Sequence, residues 1–243
     1  MDFSLLSLNE SLLIFISFFT SMFTTVFGVG GGVLLLTVMP GLVPDQSVIP
    51  IHGAVQLVSN GSRFGFGYKA VSWPLLKQYV PGALIGSLLG VFLLSFLEPV
   101  YIPVFMGTFI LLMIWLPEKC LRVSIKHFLV FSISHSFISA IAGAAGPVAG
   151  AFLSRLNLTR DSLVTTLAGI MLISHTLKVL LFGFMGFDFK EYAALVVYMM
   201  ISVTIGSLIG TKVRSYVPEF SFKKGFRLFI TLLAIRMLVM PFF

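Results

Sequence analysis

The chain has 243 residues, 58% of them hydrophobic and 10% charged, with a formal net charge of +7. A soluble domain usually carries about 25% charged residues, so the composition leaves little room for one and describes a polytopic membrane protein. The 16 Lys and Arg residues are scattered among apolar runs, which argues against nucleic-acid binding and makes the positive excess a topology signal. The single cysteine, Cys120, excludes an intramolecular disulfide and a cysteine-rich metal site.

The N-terminus, MDFSLLSLNE, lacks a basic leader region, so no cleavable signal peptide is expected. Asn9 and Ser11 flank the first apolar run and are expected to cap its helix. That run, Leu12 to Pro40, is interrupted by Gly28, Gly30, Gly31 and Gly32. Each glycine costs a helix roughly 1 kcal/mol against alanine. Irregular backbone at membrane depth is tolerated only where protein buries it or where it lines a polar cavity, so the break is a candidate site. Pro40, Gly41 and Pro44 mark a turn.

A second segment, about Ser47–Phe66, carries His52, Gln56, Ser59, Asn60 and Arg63. Their spacing puts them on one helical face, and a polar stripe on a membrane helix faces the bundle interior or a water-filled cavity. A third segment, Leu75–Leu97, follows Trp73-Pro74 and repeats glycine at positions 82, 86 and 90. Small residues at that interval let two helix backbones approach closely. A fourth, Val100–Leu116, stops at Pro117, and Glu118–Lys126 is a charged connection. The fifth segment, Ser124–Leu153, is split at Gly143–Gly150 (IAGAAGPVAG). The sixth, Ser162–Phe182, carries Ser174, His175 and Lys178; Asp161 at its start reads as a cap. Tyr192–Thr211 and Phe222–Met240 complete eight segments.

The halves align at an offset of 115, which sets Gly28 on Gly143, Gly31 on Gly146, Ser59 and Asn60 on Ser174 and His175, and Arg63 on Lys178. With five more residues inserted, IGSLLG (Ile85–Gly90) falls on IGSLIG (Ile205–Gly210). The expected fold is an all-α polytopic membrane protein built of two four-segment repeats, residues 1–117 and 118–243. Each repeat opens with a glycine-broken helix, re-entrant or discontinuous. Paired interrupted segments at corresponding positions are the best sequence pointer to a transporter site.

Positive charge bears on topology. Lys69 and Lys77 mark the loop between segments two and three, whereas Lys212, Arg214, Lys223, Lys224 and Arg227 mark the loop between seven and eight. If each broken segment enters and leaves by one face, the halves are antiparallel and these residues, with Lys119, Arg122, Lys126, Arg155 and Arg160, all lie in the cytoplasm. Eight full crossings with a weaker bias is the other arrangement.

Helix N-termini at the two breaks would offer backbone N–H groups to an anion. Asn60, His175, Ser59, Ser174, Arg63 and Lys178 surround them, and segments one, two, five and six carry no interior Asp or Glu. Proton and cation pumps usually display intramembrane carboxylates, so the pattern favours an anion. Each residue also has a plain structural role open to it. Arg63 and Lys178 can snorkel to the interface, and His52, His135 and His175 can join helices by hydrogen bonds. His127 stands at a loop end. No zinc spacing, Ser-His-Asp set or Walker-type loop is present, so no metal, cofactor or enzyme activity is expected.

FGVGGG, the matching IAGAAGP and the duplicated four-segment architecture resemble the TauE/SafE family of sulfite exporters across nearly the whole chain. The resemblance implies transport of a sulfur-containing oxyanion, such as sulfite or an organosulfonate, across a bacterial plasma (inner) membrane, with export the expected direction. The combined expectation is a secondary transporter whose substrate-binding residues are Gly28, Gly30, Gly31, Gly32, Gln56, Ser59, Asn60, Arg63, Gly143, Ala144, Gly146, Ser174, His175 and Lys178. Its partners would be the small anion, membrane lipid and a coupling ion, with His175 or His135 able to carry a proton; a homo-oligomer is compatible with this reading. An anion channel, or a membrane interaction protein that uses the glycines for packing alone, are the other readings.

Overall fold

The computed structural model describes residues 7–27, 30–115, 128–153, 156, 158–213, 216 and 223–239. Gly28, Cys120, His127, Arg155, Arg214 and the connection Glu118–Lys126 lie outside them. The described residues form ten α-helices: α1 (Leu8–Phe27), α2 (Gly31–Val38), α3 (Asp45–Gly67), α4 (Trp73–Leu94), α5 (Ile102–Trp115), α6 (Phe128–Ala142), α7 (Gly146–Leu153), α8 (Arg160–Phe184), α9 (Ala193–Val213) and α10 (Lys223–Val239).

Among the described residues, four stretches are long and apolar enough to cross a membrane: Leu8–Phe27, Trp73–Leu94, Asp161–Phe184 and Ala193–Val213. Helix α3 has 23 residues, enough for a core of about 30 Å, but interrupts its apolar surface with the expected stripe. His52, Gln56, Ser59, Asn60 and Arg63 are all buried there. Outward surfaces of α4 and α9 carry exposed Leu84, Leu88, Phe92, Ile201, Ile205 and Leu208, as a lipid-facing surface requires.

Two helix starts differ from expectation. Helix α1 is capped by Ser7, whose Oγ accepts from Glu10 N at 3.2 Å while Glu10 Oε2 accepts from Ser7 N at 2.7 Å. This reciprocal box begins the helix four residues before the apolar run, so Asn9 and Ser11 lie within α1. At α8 the cap is Thr159, which accepts from Ser162 N at 3.2 Å, and Asp161 sits in the first turn.

Glycines set the closest helix contacts. A Cβ at Gly86 would strike the Ile133 carbonyl, and at Gly82 and Gly90 it would meet Ser132 and Ala140. Helices α4 and α6 therefore touch backbone to backbone, and they run in the same direction. Helices α1 and α9 do the same. Gly206 lies on Phe18, Gly210 on Met22, and Ser202 Oγ donates to the Ile14 carbonyl at 2.7 Å. By contrast α3 and α8 run in opposite directions, with Gly53 against Lys178, Gly61 against Leu172 and Gly67 against Thr165. Helices α5 and α10 are also opposed: Gly107 meets Ala234 and Met237, and Trp115 Nε1 donates to Thr231 Oγ1 at 3.0 Å.

Polar side chains join these pairs inside the bundle. Ser21 Oγ pairs with Ser59 Oγ at 2.9 Å and Ser207 Oγ at 2.8 Å, tying α1, α3 and α9 at one point. On the other side, Tyr79 Oη lies 2.7 Å from His135 Nδ1 and 2.6 Å from Ser136 Oγ, joining α4 to α6.

Candidate functional site

Between the ends of α1 and α6 and the starts of α2 and α7 lies a cavity of about 40 Å³. Its walls form from the breaks outward. Gly30 has φ 108° and its carbonyl accepts Leu34 N at 2.9 Å, which starts α2 from a backbone conformation that glycine adopts readily. Gly31 follows with no space for a Cβ, since the Thr20 carbonyl and Thr24 hydroxyl occupy it. The first turn of α2 therefore rests on the hydroxyl-bearing face of α1. Gly32 is closed on its other side by the Gln56 amide, where a Cβ would stand 3.2 Å from Gln56 Oε1.

Helix α3 brings its stripe to this edge. His52 Nε2 pairs with the Gly32 carbonyl at 2.8 Å. One turn on, the Gln56 amide lies across the bare Gly32 backbone. Asn60 Nδ2 donates to the Gln56 carbonyl at 2.7 Å, and Asn60 Oδ1 accepts Arg63 Nη2 at 2.8 Å. Arg63 Nε is spent on the Ser59 carbonyl at 3.2 Å. Arg63 is 8% exposed, and a guanidinium has five N–H donors, so further donors remain to face the cavity.

The opposite wall comes from α8 and the second break. Leu167, Ala168 and Met171 are apolar, and His175 adds a ring whose centroid lies 5.7 Å from that of His52. His175 Nδ1 is buried with no hydrogen-bond partner among the described residues. Gly143 turns the chain out of α6 at φ 77°, and Ala144, Gly146 and Pro147 line the cavity at the start of α7. Proline at the second position of α7 removes one N–H from that helix start. The donor supply at the two breaks is therefore unequal.

Of the residues expected to bind substrate, Gly30, Gly32, Gln56, Asn60, Arg63, Ala144, Gly146 and His175 line this one cavity. Five others lie beside it. Gly31 serves packing against α1, Ser59 pairs with Ser21, and Ser174 Oγ donates to Ser139 Oγ at 3.0 Å. Gly143 accepts the Lys178 ammonium at 2.6 Å, which turns Lys178 away from the cavity. Gly28 lies outside the described residues.

His52, Thr24 and Pro147 line the cavity without having been in the expected site. His52 continues the stripe one turn before Gln56, and Thr24 belongs to the run Ser17, Thr20, Ser21, Thr24 on the buried side of α1. Both signals were present in the spacing.

Chemically, the cavity has one cationic side chain, Arg63, carboxamides at Gln56 and Asn60 and two helix starts at its edge; no carboxylate is among its lining residues. Partial positive charge at helix N-termini and the guanidinium act in the same direction. Among the described residues no group of three His, Cys, Asp or Glu side chains could hold a metal ion.

The family description that fits this chain is Sulfite exporter TauE/SafE, whose model matches residues 13–237. The chain belongs to the TauE/SafE family. No curated protein and no solved structure matches it. Membership in TauE/SafE, with four helices of membrane-crossing length and apolarity among the described residues, makes it a multi-pass membrane protein of transporter type.

Proposed function

We propose that this TauE/SafE protein is a secondary transporter exporting a compact sulfur oxyanion, with sulfite as the first candidate. The observation that carries the proposal is the cavity between the two broken segments: cationic through Arg63, edged by two helix starts, and lined by no carboxylate. Its size narrows the substrate class. At about 40 Å³ the cavity has room for only a few water-sized groups. That suits a small trigonal or tetrahedral oxyanion better than an organosulfonate with a carbon chain. Outward direction follows the family's description as exporters.

The same reading makes residues 1–117 and 118–243 inverted repeats, each with a re-entrant broken segment. Helix direction supports this. At the 115-residue offset α3 corresponds to α8, and the two run antiparallel, as copies related by an axis in the membrane plane must. The pairings α1 with α9 and α4 with α6 are equivalent to each other under the same exchange. Cavity positions also repeat: Gln56 and Met171, Asn60 and His175, Gly32 and Pro147 stand 115 apart. The polar member lies on α3 in the first pair, so the first repeat supplies most of the anion chemistry. The faces bearing Lys69, Arg160 and Lys212 are cytoplasmic on this reading, and the membrane is the bacterial inner membrane.

Reconstitution into proteoliposomes tests the function. Uphill sulfite movement that follows an imposed ion gradient supports a secondary transporter. Downhill flux alone, unaffected by any gradient, supports a channel, and absence of flux with intact protein removes both.

A further inference from the structure

The equivalent cations Arg63 and Lys178 do opposite things. Arg63 lines the central cavity and also a vestibule of about 470 Å³ at the C-terminal end of α3, walled by Thr25, Tyr68, Lys69, Thr165 and Thr211. Lys178 lines neither cavity. It is 1% exposed, its Nζ donating to the Gly143 carbonyl at 2.6 Å and to Ser139 Oγ at 3.4 Å.

A counterpart of the vestibule exists at the other end of the α3–α8 pair. It is a pocket of about 170 Å³ whose lining includes Gln46, Ile49, Val91, Phe182 and Met185. These are repeat partners of the vestibule residues. Gln46 and Ile49 precede Asp161 and Val164 by 115, while Phe182 and Met185 follow Gly67 and Ala70 by 115. Val91 and Thr211 differ by 120, the offset of their glycine motifs. One molecule thus has two equivalent mouths, the larger reaching Arg63 and the smaller not reaching Lys178.

Lys178 stands between the smaller mouth and the central cavity. It follows His175, which lines the cavity, and precedes Phe182, which lines the mouth, by one turn each. Its stem packs on Gly53, where a Cβ would stand 3.2 Å from Lys178 Cδ. The ammonium has no acidic partner among its hydrogen bonds, only a carbonyl and a hydroxyl. Such a buried charge is incompletely compensated, so the tie can exchange for water or an anion.

We propose that Lys178 is the bolt of the smaller mouth. The structure is the state in which the site communicates with the Arg63 vestibule. In the opposite state Lys178 leaves Gly143, turns into the smaller mouth and takes the place that Arg63 holds now, as exchange between inverted repeats requires. This rests on the transport reading above and adds the residue that holds one gate.

The test is thiol accessibility of the purified full chain in detergent, in a Cys120→Ala background, with a water-soluble maleimide that reaches both mouths. Thr165→Cys reports the vestibule and Ile49→Cys the smaller mouth; both parent residues are buried. With Lys178 present, Thr165→Cys reacts at least ten-fold faster than Ile49→Cys. Lys178→Met lowers the first rate and raises the second. Unchanged rates overturn the proposal, and so does a rise in both, which reports a loosened fold. If Lys178→Met does not fold, Ser139→Ala removes one anchor only and must move the two rates reciprocally; failure to do so is equally decisive. No anion is present in the labelling. Unchanged rates beside intact sulfite flux overturn the bolt alone, whereas reciprocal rates without flux overturn the transport reading and keep the gate.

Discussion

Gly143 accepts the Lys178 ammonium at 2.6 Å from a backbone held at φ 77°, and a Cβ on Gly143 would stand 2.8 Å from Leu36 Cδ1. The turn between α6 and α7 is thus fixed twice: by a cation on its carbonyl and by α2 against its face. Gly143→Ala strains both. A left-handed conformation costs a residue with a Cβ about 1–2 kcal/mol, and displacement of Leu36 adds to it. The expected outcome is a lower melting temperature in detergent together with weaker anion binding. A normal melting curve would show that the turn is not held as described.

Arg63 sits where the central cavity and the vestibule meet. Arg63→Gln keeps much of the side-chain volume and removes the charge. Loss of charge-assisted hydrogen bonds of about 1.5–3 kcal/mol corresponds to at least roughly ten-fold weaker binding. Sulfite affinity, measured by calorimetry, should fall by that factor, and the Asn60 Oδ1 left without its Arg63 donor should also lower the melting temperature without anion.

Tyr79 provides the opposite control. It is wholly buried, bridges His135 and Ser136, and does not line the cavity. Tyr79→Phe leaves two polar atoms without their partner, at a cost of about 1–3 kcal/mol. Stability should drop in a thermal melt and sulfite affinity should not.

Two glycines separate packing from mere flexibility. Nothing lies within 4 Å of a Cβ at Gly65, whereas at Gly86 it strikes the Ile133 carbonyl. Gly65→Ala should stabilise α3 by about 0.5–1 kcal/mol. Gly86→Ala forces α4 and α6 apart and should destabilise by about 1–3 kcal/mol. Equal effects in unfolding titrations would contradict the close α4–α6 contact.

The proposed antiparallel arrangement of the halves is checked by single cysteines at Gln46 and Arg160, in the first turns of α3 and α8. In intact cells an impermeant reagent should reach Gln46→Cys from outside, and Arg160→Cys only after the membrane is opened. Labelling of both from one face would make the halves parallel.

The stripe on α3 was legible because its cause is local: polar residues three and four apart on a helix share a face whatever the helix packs against. The ends of α1 and α6 and the starts of α2 and α7 fall at the glycine clusters, which act on their own backbone. Pairings between distant segments were not legible. Ser59 has the spacing of a site residue, yet its hydroxyl pairs with Ser21, which also holds Ser207, and only the packing of α1 against α3 and α9 decides that. Lys178 looked like Arg63 in sequence, and its different task depends on the carbonyl of Gly143, 35 residues away. Likewise Gly31 belongs to the break but faces α1 rather than the cavity. Local rules name the candidates, and tertiary contact sorts those that face the cavity from those that hold it in shape.

The central claim is that the cavity between the breaks binds a compact oxyanion, and ligand-dependent melting of the purified full chain tests it most directly. A ligand at ten times its dissociation constant stabilises by about 1.4 kcal/mol. Sulfite should raise the melting temperature in a saturable way, chloride at the same ionic strength should not, and Asn60→Ala and Arg63→Gln should each shift the sulfite titration to higher concentration. If no compact oxyanion stabilises the intact protein, or if sulfite stabilises both variants as it does the native chain, the cavity is not the anion site.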